Sequence, residues 1–214
     1  MDDMDDLLVM HKRVDMARSP GLYEGPITAE RFQRDWEVRN AQWTCQDGAL
    51  LGRNPQPAAG VVMSKHAFPG NVLMDFHGQT VLPSTHDIDV MWNLGWNEQK
   101  NDRGPAYVVG VQGWWDGKVG IEKSPEYKLV AAAPCPWFKP GQEYHIQAGS
   151  IDGHCFVFVD GALRIELVDP SPIDSSKHNR VGFEAYQSMI KISRLTIRQI
   201  VWEKRPQAYK PEFD

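Results

Sequence analysis

Two aspartates, Asp87 and Asp89, are the residues whose type and spacing point most directly to chemistry in this sequence. They lie in the run 86–96, in which polar and apolar residues alternate as they do in a half-buried β-strand. Successive side chains of a strand point to opposite faces, so both carboxylates share one face, about 7 Å apart. Acidic side chains are rare on a core face. We therefore expect this strand to cross the floor of a groove.

The same alternation sorts the rest of this run into two faces. Met91 and Asn93 join the two aspartates on the groove face. The opposite face, which we expect to be apolar, carries His86, Ile88, Val90 and Trp92.

Acidic and imidazole side chains from other strands are expected to join the aspartates. Asp75 and His77 alternate with apolar residues in an upstream strand, as do Glu184 and Tyr186 in a downstream strand. The predicted set of chemical groups in the groove is Asp75, His77, Asp87, Asp89 and Glu184.

Two chemistries are open to these residues. A pair of carboxyl groups performs general acid and base catalysis on a glycosidic bond if their environments separate their pKa values. The catalytic candidates are Asp87, Asp89, His77 and Glu184. Alternatively, His77, Asp89 and Glu184 hold a divalent metal ion that acidifies a hydroxyl group or a water molecule. A purely structural role, in which the aspartates bind turns or arginine neighbours, is the third alternative.

Tryptophans near the acids indicate a platform for a sugar, because aromatic rings stack on the apolar C–H faces of sugars. Trp92 is expected in the core, and Trp96 fits either location. Lys123 is suited to orient a sugar hydroxyl, carbonyl or carboxylate group, although a lysine at such a position is equally often simply solvated. The expected substrate-binding residues are Asp75, Asn93, Trp96, Trp114, Trp115, Lys123 and Tyr186.

The remaining sequence predicts an all-β protein. About ten to twelve short runs with strand character are separated by turn signals, which is typical of a two-sheet antiparallel β-sandwich or jelly roll. Residues 113–124 combine glycine, aromatic and charged residues and predict a shaped loop. Near-helical spacing of apolar residues predicts a short N-terminal helix, and a helical turn is expected at Thr28–Arg31. We expect a helical extension over residues 1–20 and one sandwich domain over residues 21–214.

Composition limits the class of partner. The net charge is -5 and the sequence shows no basic stripe, so we expect no nucleic-acid partner and favour a neutral, polyhydroxylated ligand. Three cysteines without paired spacing favour reduced thiols. The acidic start and the lack of an apolar run of about 20 residues predict a cytoplasmic protein without membrane contact. A periplasmic location is the alternative, and it would require a signal peptide.

Several features of the last third occur in a recognisable order. Gln142-Glu143-Tyr144 opens a strand, Phe158-Val159-Asp160-Gly161 forms a hairpin, and Val181-Gly182-Phe183 precedes a long final strand from Ile190 to Trp202. This order resembles the closing strands of the concanavalin A-like lectin/glucanase superfamily. The resemblance implies a β-sandwich whose concave sheet face binds glycans.

Within that superfamily, residues 22–203 are similar to the small bacterial YesU-like proteins and, more distantly, to 3-keto-disaccharide hydrolase domains. Asp-Ile-Asp at 87–89 resembles an Asp-Ile-Asn of the YesU-like proteins, and Lys123-Ser124 resembles a Lys-Ser pair there. Glu184 stands where those proteins carry Arg or Gln. Both groups are associated with the breakdown of plant or algal glycans.

The resemblance implies a bacterial carbohydrate-active protein, a hydrolase or lyase acting on a glycan fragment or on a modified sugar such as a 3-keto sugar. The Glu-x-Asp-x-x-Glu strand of family 16 glycoside hydrolases is absent, since only Asp87-x-Asp89 is present, so a retaining mechanism of that type is not expected. A non-catalytic carbohydrate-binding module is the alternative function, and a structural protein with a vestigial groove is a third.

Overall fold

A computed structural model describes residues 5–113 and 117–205 of this chain. In chain order the elements are β1 (Leu7–Val9), β2 (Lys12–Val14), β3 (Gly21–Tyr23), α1 (Ala29–Asp35), β4 (Trp36–Val38), β5 (Gln42–Gln46), β6 (Ala49–Asn54), β7 (Gly60–Ser64), β8 (Val72–Thr80), β9 (Ile88–Leu94), β10 (Trp96–Asn97), β11 (Asp102–Arg103), β12 (Ala106–Gly113), β13 (Lys118–Ser124), β14 (Lys128–Pro134), β15 (Glu143–Ile151), β16 (His154–Val159), β17 (Ala162–Val168), β18 (Arg180–Ala185), β19 (Ser188–Gln199) and β20 (Trp202–Lys204).

Two antiparallel sheets form the body of the protein. We call the first the groove sheet, and its strand order is β14-β13-β12-β9-β18-β7-β4. We call the second the back sheet, and its strand order is β17-β16-β15-β8-β19-β6-β5, with β3 pairing to β19. The prediction of an all-β antiparallel sandwich is confirmed. Within the described residues no helix has the length and apolar character that a membrane crossing requires.

The core lies between the two sheets and follows from the alternation of each strand. On β9 the inward positions are Ile88, Val90 and Trp92, all of which are buried in the main hydrophobic cluster. Trp92 donates a hydrogen bond from its indole Nε1 to Ser150 Oγ of the back sheet, at 2.9 Å. Trp92 is therefore a core residue, as the sequence predicted, and it ties the two sheets together.

The helix lies later in the chain than the N-terminal spacing suggested. Thr28 caps α1 by accepting a hydrogen bond from the backbone N–H of Arg31, which fits the helical turn predicted there. The first 20 residues were expected to be helical, but among the described ones β1 and β2 form a hairpin that pairs with β20. Leu7 and Val9 are both buried, and their spacing of two residues is the period of a β-strand. This hairpin packs on the outer face of the back sheet.

The outer face of the groove sheet is partly apolar and partly acidic. Met63, Met91, Leu94 and Val108 belong to a separate buried apolar cluster on this face, and Trp96 packs against it. The hairpin of β10 and β11, which we call the covering hairpin, departs from the sheet after β9 and returns before β12. At its base the Gly95 N–H donates to the Pro105 carbonyl, and the Gly104 N–H donates to the Gly95 carbonyl.

Candidate functional site

A cavity of about 600 Å³ lies on the outer face of the groove sheet. This volume is within the range of roughly 300–1,000 Å³ that small-molecule sites occupy. The wall combines carboxyl groups, two cations, amides and two tyrosines. Its polar lining residues are Asn40, His86, Asp87, Asp89, Lys100, Asn101, Asp102, Arg103, Glu122, Tyr127 and Tyr186.

Strand register brings Asp89 and Glu184 side by side. Asp89 of β9 pairs directly with Glu184 of β18. Their chain neighbours Val90 and Phe183 are buried between the sheets, so both carboxyl groups point to the outer face. Side chains of directly opposed residues have Cβ atoms about 4.5–5.5 Å apart. Asp89 lines the cavity, whereas Glu184 is buried and is not among the lining residues.

Asp87 reaches the cavity from the turn that precedes β9. Its φ of 74° lies in the left-handed region, which Asp tolerates better than most residues. His86 also lines the cavity, although alternation predicted it on the opposite face. The reason is that β9 begins only at Ile88, so the period-2 rule does not extend back to residue 86.

Glycines leave space beside the two aspartates. In the sheet register Gly110 lies opposite Asp89, and Gly120 lies opposite Gly110 on the next strand. Neither position adds a side chain to the outer face. At Gly113 a Cβ atom would lie 3.0 Å from Asp87 Oδ1, so that glycine allows the carboxyl group its position.

The covering hairpin places Arg103 over the acidic part of the sheet. Arg103 Nη1 lies 3.2 Å from Glu184 Oε2, and Nη2 lies 3.3 Å from Glu122 Oε1. The Arg103 side chain is 4% exposed. Its guanidinium group stacks on the Tyr127 ring at 4.4 Å, and the Tyr127 hydroxyl donates to Asp102 Oδ1 at 2.6 Å. The hairpin thus supplies a buried cation to carboxylates of two different strands.

The two aspartates form a coupled acid pair. Burial raises the pKa of Asp87 to about 7, despite a hydrogen bond with Asp89 and the charge of Arg103, which both lower it. Burial, the charges of Asp87 and Glu184 and the hydrogen bond to Asp87 raise the pKa of Asp89 well above its ordinary value. Two adjacent buried carboxyl groups cannot both ionise easily, so the pair retains a proton near neutral pH.

The glutamates differ from this pair because each contacts Arg103. Burial raises the pKa of Glu184 to about 7, while Arg103 lowers it. Burial also raises the pKa of Glu122, and Arg103 again opposes the increase. Burial alone would lower the pKa of Arg103, but Glu184 and Glu122 raise it overall, so the guanidinium group stays charged. A buried guanidinium requires a carboxylate partner, so at least one of the two glutamates is an anion.

Asp75 and His77 do not join the site, which corrects their expected position. Both lie on β8, which belongs to the back sheet, and their side chains point away from the sandwich. Asp75 Oδ1 lies 2.7 Å from His145 Nε2, and His77 Nδ1 lies 3.0 Å from Glu143 Oε1. Alternation tells which face of its own sheet a side chain occupies but does not tell which sheet its strand joins.

Asn93 and Lys123 are also placed differently from the prediction. Asn93 has a φ of 48° at a register irregularity between β9 and β18, and its side chain bonds the Ile173 carbonyl instead of facing the cavity. A bulge of this kind exchanges the two faces of a strand. Lys123 donates to Asp169 Oδ2 at 2.7 Å and lies outside the cavity lining, so it holds a loop in place.

The aromatic residues show a mixed outcome. Tyr186 lines the cavity, as expected. Trp96 lies on the covering hairpin, half-buried against the apolar cluster and 5.3 Å from the Arg39 guanidinium carbon, and is not part of the cavity wall. Trp114 and Trp115, the other expected platform residues, lie outside the described residues.

The proposed metal ligands are separated in the structure. His77 lies on the back sheet, whereas Asp89 and Glu184 lie on the outer face of the groove sheet. In the described part of the chain, no group of three or more His, Cys, Asp or Glu side chains is arranged to hold a metal ion. The metal-binding set of His77, Asp89 and Glu184 is therefore wrong as a group.

Several cavity residues were not found from the sequence. Glu122 lies on β13, in a segment predicted to be a loop, although its alternation with the buried Val119 and Ile121 contained the signal. Arg103 carried no usable signal, because it lies in a polar, turn-rich stretch whose covering position depends on tertiary structure.

No family model and no curated protein sequence matches this chain. Solved structures do match. A protein of unknown function with a galectin-like fold from Bacillus subtilis has a TM-score of 0.69 and 14% identity, over 88% of this chain and 100% of that chain. Carbohydrate-binding module CBM66 from Bacillus subtilis has a TM-score of 0.63 and 14% identity, over 77% of this chain and 95% of that chain.

A third similar structure is the β-glucanase of Bacillus licheniformis, with a TM-score of 0.53 and 8% identity, over 77% of this chain and 92% of that chain. At such identities the likeness concerns the fold alone. The chain thus has a two-sheet β-sandwich fold like that of these galectin-like, carbohydrate-binding-module and glucanase structures.

Proposed function

We propose that this protein is a carbohydrate-active enzyme, a hydrolase or lyase that cleaves a glycan fragment or a modified sugar in the cavity of the groove sheet. The observation that carries the proposal is the pair of buried carboxyl groups of Asp87 and Asp89 on the cavity wall. A carboxyl group that keeps its proton near neutral pH is what a general acid requires. A strongly perturbed pKa inside a cavity is typical of an active site.

The lining supports a polyhydroxylated ligand. Carboxylates and the amides of Asn40 and Asn101 pair with hydroxyl groups, and the rings of Tyr127 and Tyr186 offer faces to sugar C–H groups. The folds of a carbohydrate-binding module and of a β-glucanase support the same ligand class by analogy.

The proposed hydrolysis assigns one role to each group. The aspartate pair gives its proton to the leaving glycosidic oxygen while the bond from that oxygen to the sugar carbon breaks. Glu122, which lines the cavity and contacts Arg103, takes a proton from the attacking water, whose oxygen bonds to the same carbon. In a lyase, Glu122 would instead remove a proton bonded to carbon, and no water would be consumed.

Turnover of a panel of neutral oligosaccharides and 3-keto-glycosides tests the proposal, with and without a chelator. We expect Asp89→Asn and Asp87→Asn each to lose about 10²- to 10⁴-fold in kcat, the usual contribution of a general acid. Asn suits position 87 because it tolerates a positive φ. The matched control is Glu143→Gln, an exposed carboxylate on the outer face of the back sheet, which should retain full activity. Equal activity of Asp89→Asn and the control would refute the acid role.

A binding module without catalysis is the second candidate function. The likeness to CBM66 over 95% of that chain supports it, because a structure described as a carbohydrate-binding module shares this fold over nearly its whole length. Calorimetry on the same oligosaccharides separates the two functions. Binding without turnover in the wild type, lost in Asp89→Asn, would select the module.

A further inference from the structure

The covering hairpin contributes a charge that the groove sheet lacks. On the outer face of this sheet four carboxyl groups are buried: Asp87, Asp89, Glu122 and Glu184. Asp89 and Glu184 are paired across neighbouring strands, and Glu122 and Glu184 share the contact with Arg103. Of the described cations, only Arg103 makes ion pairs with members of this set. Four anions cannot be held there by one cation, so the set must hold protons at neutral pH.

Arg103 does not contact the four acids equally. Its two terminal nitrogens lie 3.2 Å from Glu184 Oε2 and 3.3 Å from Glu122 Oε1. No ion pair joins Asp87 or Asp89 to a cation in the described part of the chain, whereas both glutamates lie within ion-pair distance of Arg103. The nearest positive charge therefore favours the ionised form of the glutamates more than that of the aspartates.

We propose that Arg103 is a positioning residue that keeps protons off Glu122 and Glu184, so that the proton of the cluster resides on Asp87 and Asp89. This deepens the proposed function, because it separates the acid from the base by geometry. Arg103 directs both terminal nitrogens to protein carboxylates. An arginine that binds an anionic sugar would instead point these nitrogens into the cavity, so the contacts of Arg103 fit a role within the protein. The Tyr127 ring fixes the plane of the guanidinium group.

Nuclear magnetic resonance of carboxyl carbons labelled in Asp and Glu tests this without any substrate. The four signals are assigned with the variants Asp87→Asn, Asp89→Asn, Glu122→Gln and Glu184→Gln. As the pH is lowered from 9 in the wild type, the aspartate pair should take up a proton before either glutamate. A wild type in which a glutamate is protonated first overturns the proposal, whatever the variants do.

Two arginine variants make the test specific. In Arg103→Met, the glutamates should take up their protons at a pH at least about one unit higher than in the wild type, a tenfold change in proton affinity. Arg103→Lys should restore most of the wild-type order, because it keeps the charge. A shift below about 0.3 units in a folded Arg103→Met overturns the proposal. Since no sugar is used, a protein that cleaves nothing still yields this result, so the proposed function and the inference fail separately.

Discussion

Asp87 and Asp89 both present a carboxyl group to the wall of the same cavity, and both residues are less than 10% exposed. Two buried carboxyl groups that act on each other cannot both ionise easily, so the pair tends to keep a proton near neutral pH. Because the folded protein raises the pKa of these groups, the stability of the fold depends on pH. The same raised pKa makes the pair suitable as an acid in the cavity.

The first prediction concerns stability. The pKa of Asp89 in the folded protein is well above the ordinary 3.8, so between about pH 4 and the folded pKa the folded state holds a proton that the unfolded chain releases. Stability therefore falls as pH rises. Asp89→Asn cannot ionise, so at pH 8 it should melt at least about 3 °C above the wild type, with a smaller difference at pH 4.5. Calorimetry at both pH values checks this, and equal differences at both would contradict it.

The second prediction concerns the pH dependence of kcat/KM. Activity should fall on the alkaline side as the aspartate pair loses its last proton, at a pH far above the ordinary 3.8 of an aspartate, because burial raises the pKa of both carboxyl groups. It should also fall on the acid side, at a pH above the ordinary 4.5 of a glutamate, because burial raises the pKa of Glu122. A rate profile between pH 4 and pH 10 measures both limbs. A rate that still rises between pH 7 and pH 9 would exclude the aspartate pair as the acid.

The third prediction concerns Gly113. A Cβ atom there would lie 3.0 Å from Asp87 Oδ1, so Gly113→Ala should displace that carboxyl group by a few tenths of an ångström. Because catalysis depends steeply on placement, kcat should fall about tenfold with little change in melting temperature. In an Asp87→Asn background the same substitution should cost nothing further. Additive losses would show that Gly113 acts elsewhere.

The fourth prediction concerns the bond between the sheets. Trp92→Phe removes the donor to Ser150 Oγ and leaves the hydroxyl group buried without it, which should cost about 1–3 kcal/mol in the free energy of unfolding. Denaturation in urea measures this. Trp96→Phe, at a half-buried position on the covering hairpin, is the control and should cost less. Similar losses in the two variants would mean that the hydrogen bond contributes little.

Alternation in the sequence was sufficient where an apolar neighbour fixed the face. Val90 and Phe183 are buried between the sheets. Their chain neighbours Asp89 and Glu184 therefore lie on the opposite face of the groove sheet, as alternation predicted. The same rule failed for His77, because β8 and β9 follow each other in the chain but belong to different sheets. Sheet membership depends on long-range pairing, which local periodicity does not encode.

Irregular backbone conformations also limited what could be predicted from the sequence. By alternation Asn93 should share the face of Asp89, but Asn93 itself has a left-handed backbone conformation, and its side chain points away from the cavity. Arg103 was missed for a related reason. Arg103 lies on a hairpin whose two strands have two residues each, and this hairpin folds back over the sheet. No pattern in residues 96–103 predicts that the hairpin folds in this direction.

The covering hairpin also divides the site into parts with different freedom to change. Asp89, Glu122 and Glu184 stand on strands of the groove sheet whose register cannot slip without disrupting the core, whereas Arg103 lies on a short hairpin between Gly95 and Gly104. Replacement of the covering hairpin would alter the charge and shape above the acids without changing the register of the strands beneath them. Exchange of the eight residues 96–103 as one segment is therefore a way to change the cavity wall while the strands of both sheets stay as they are.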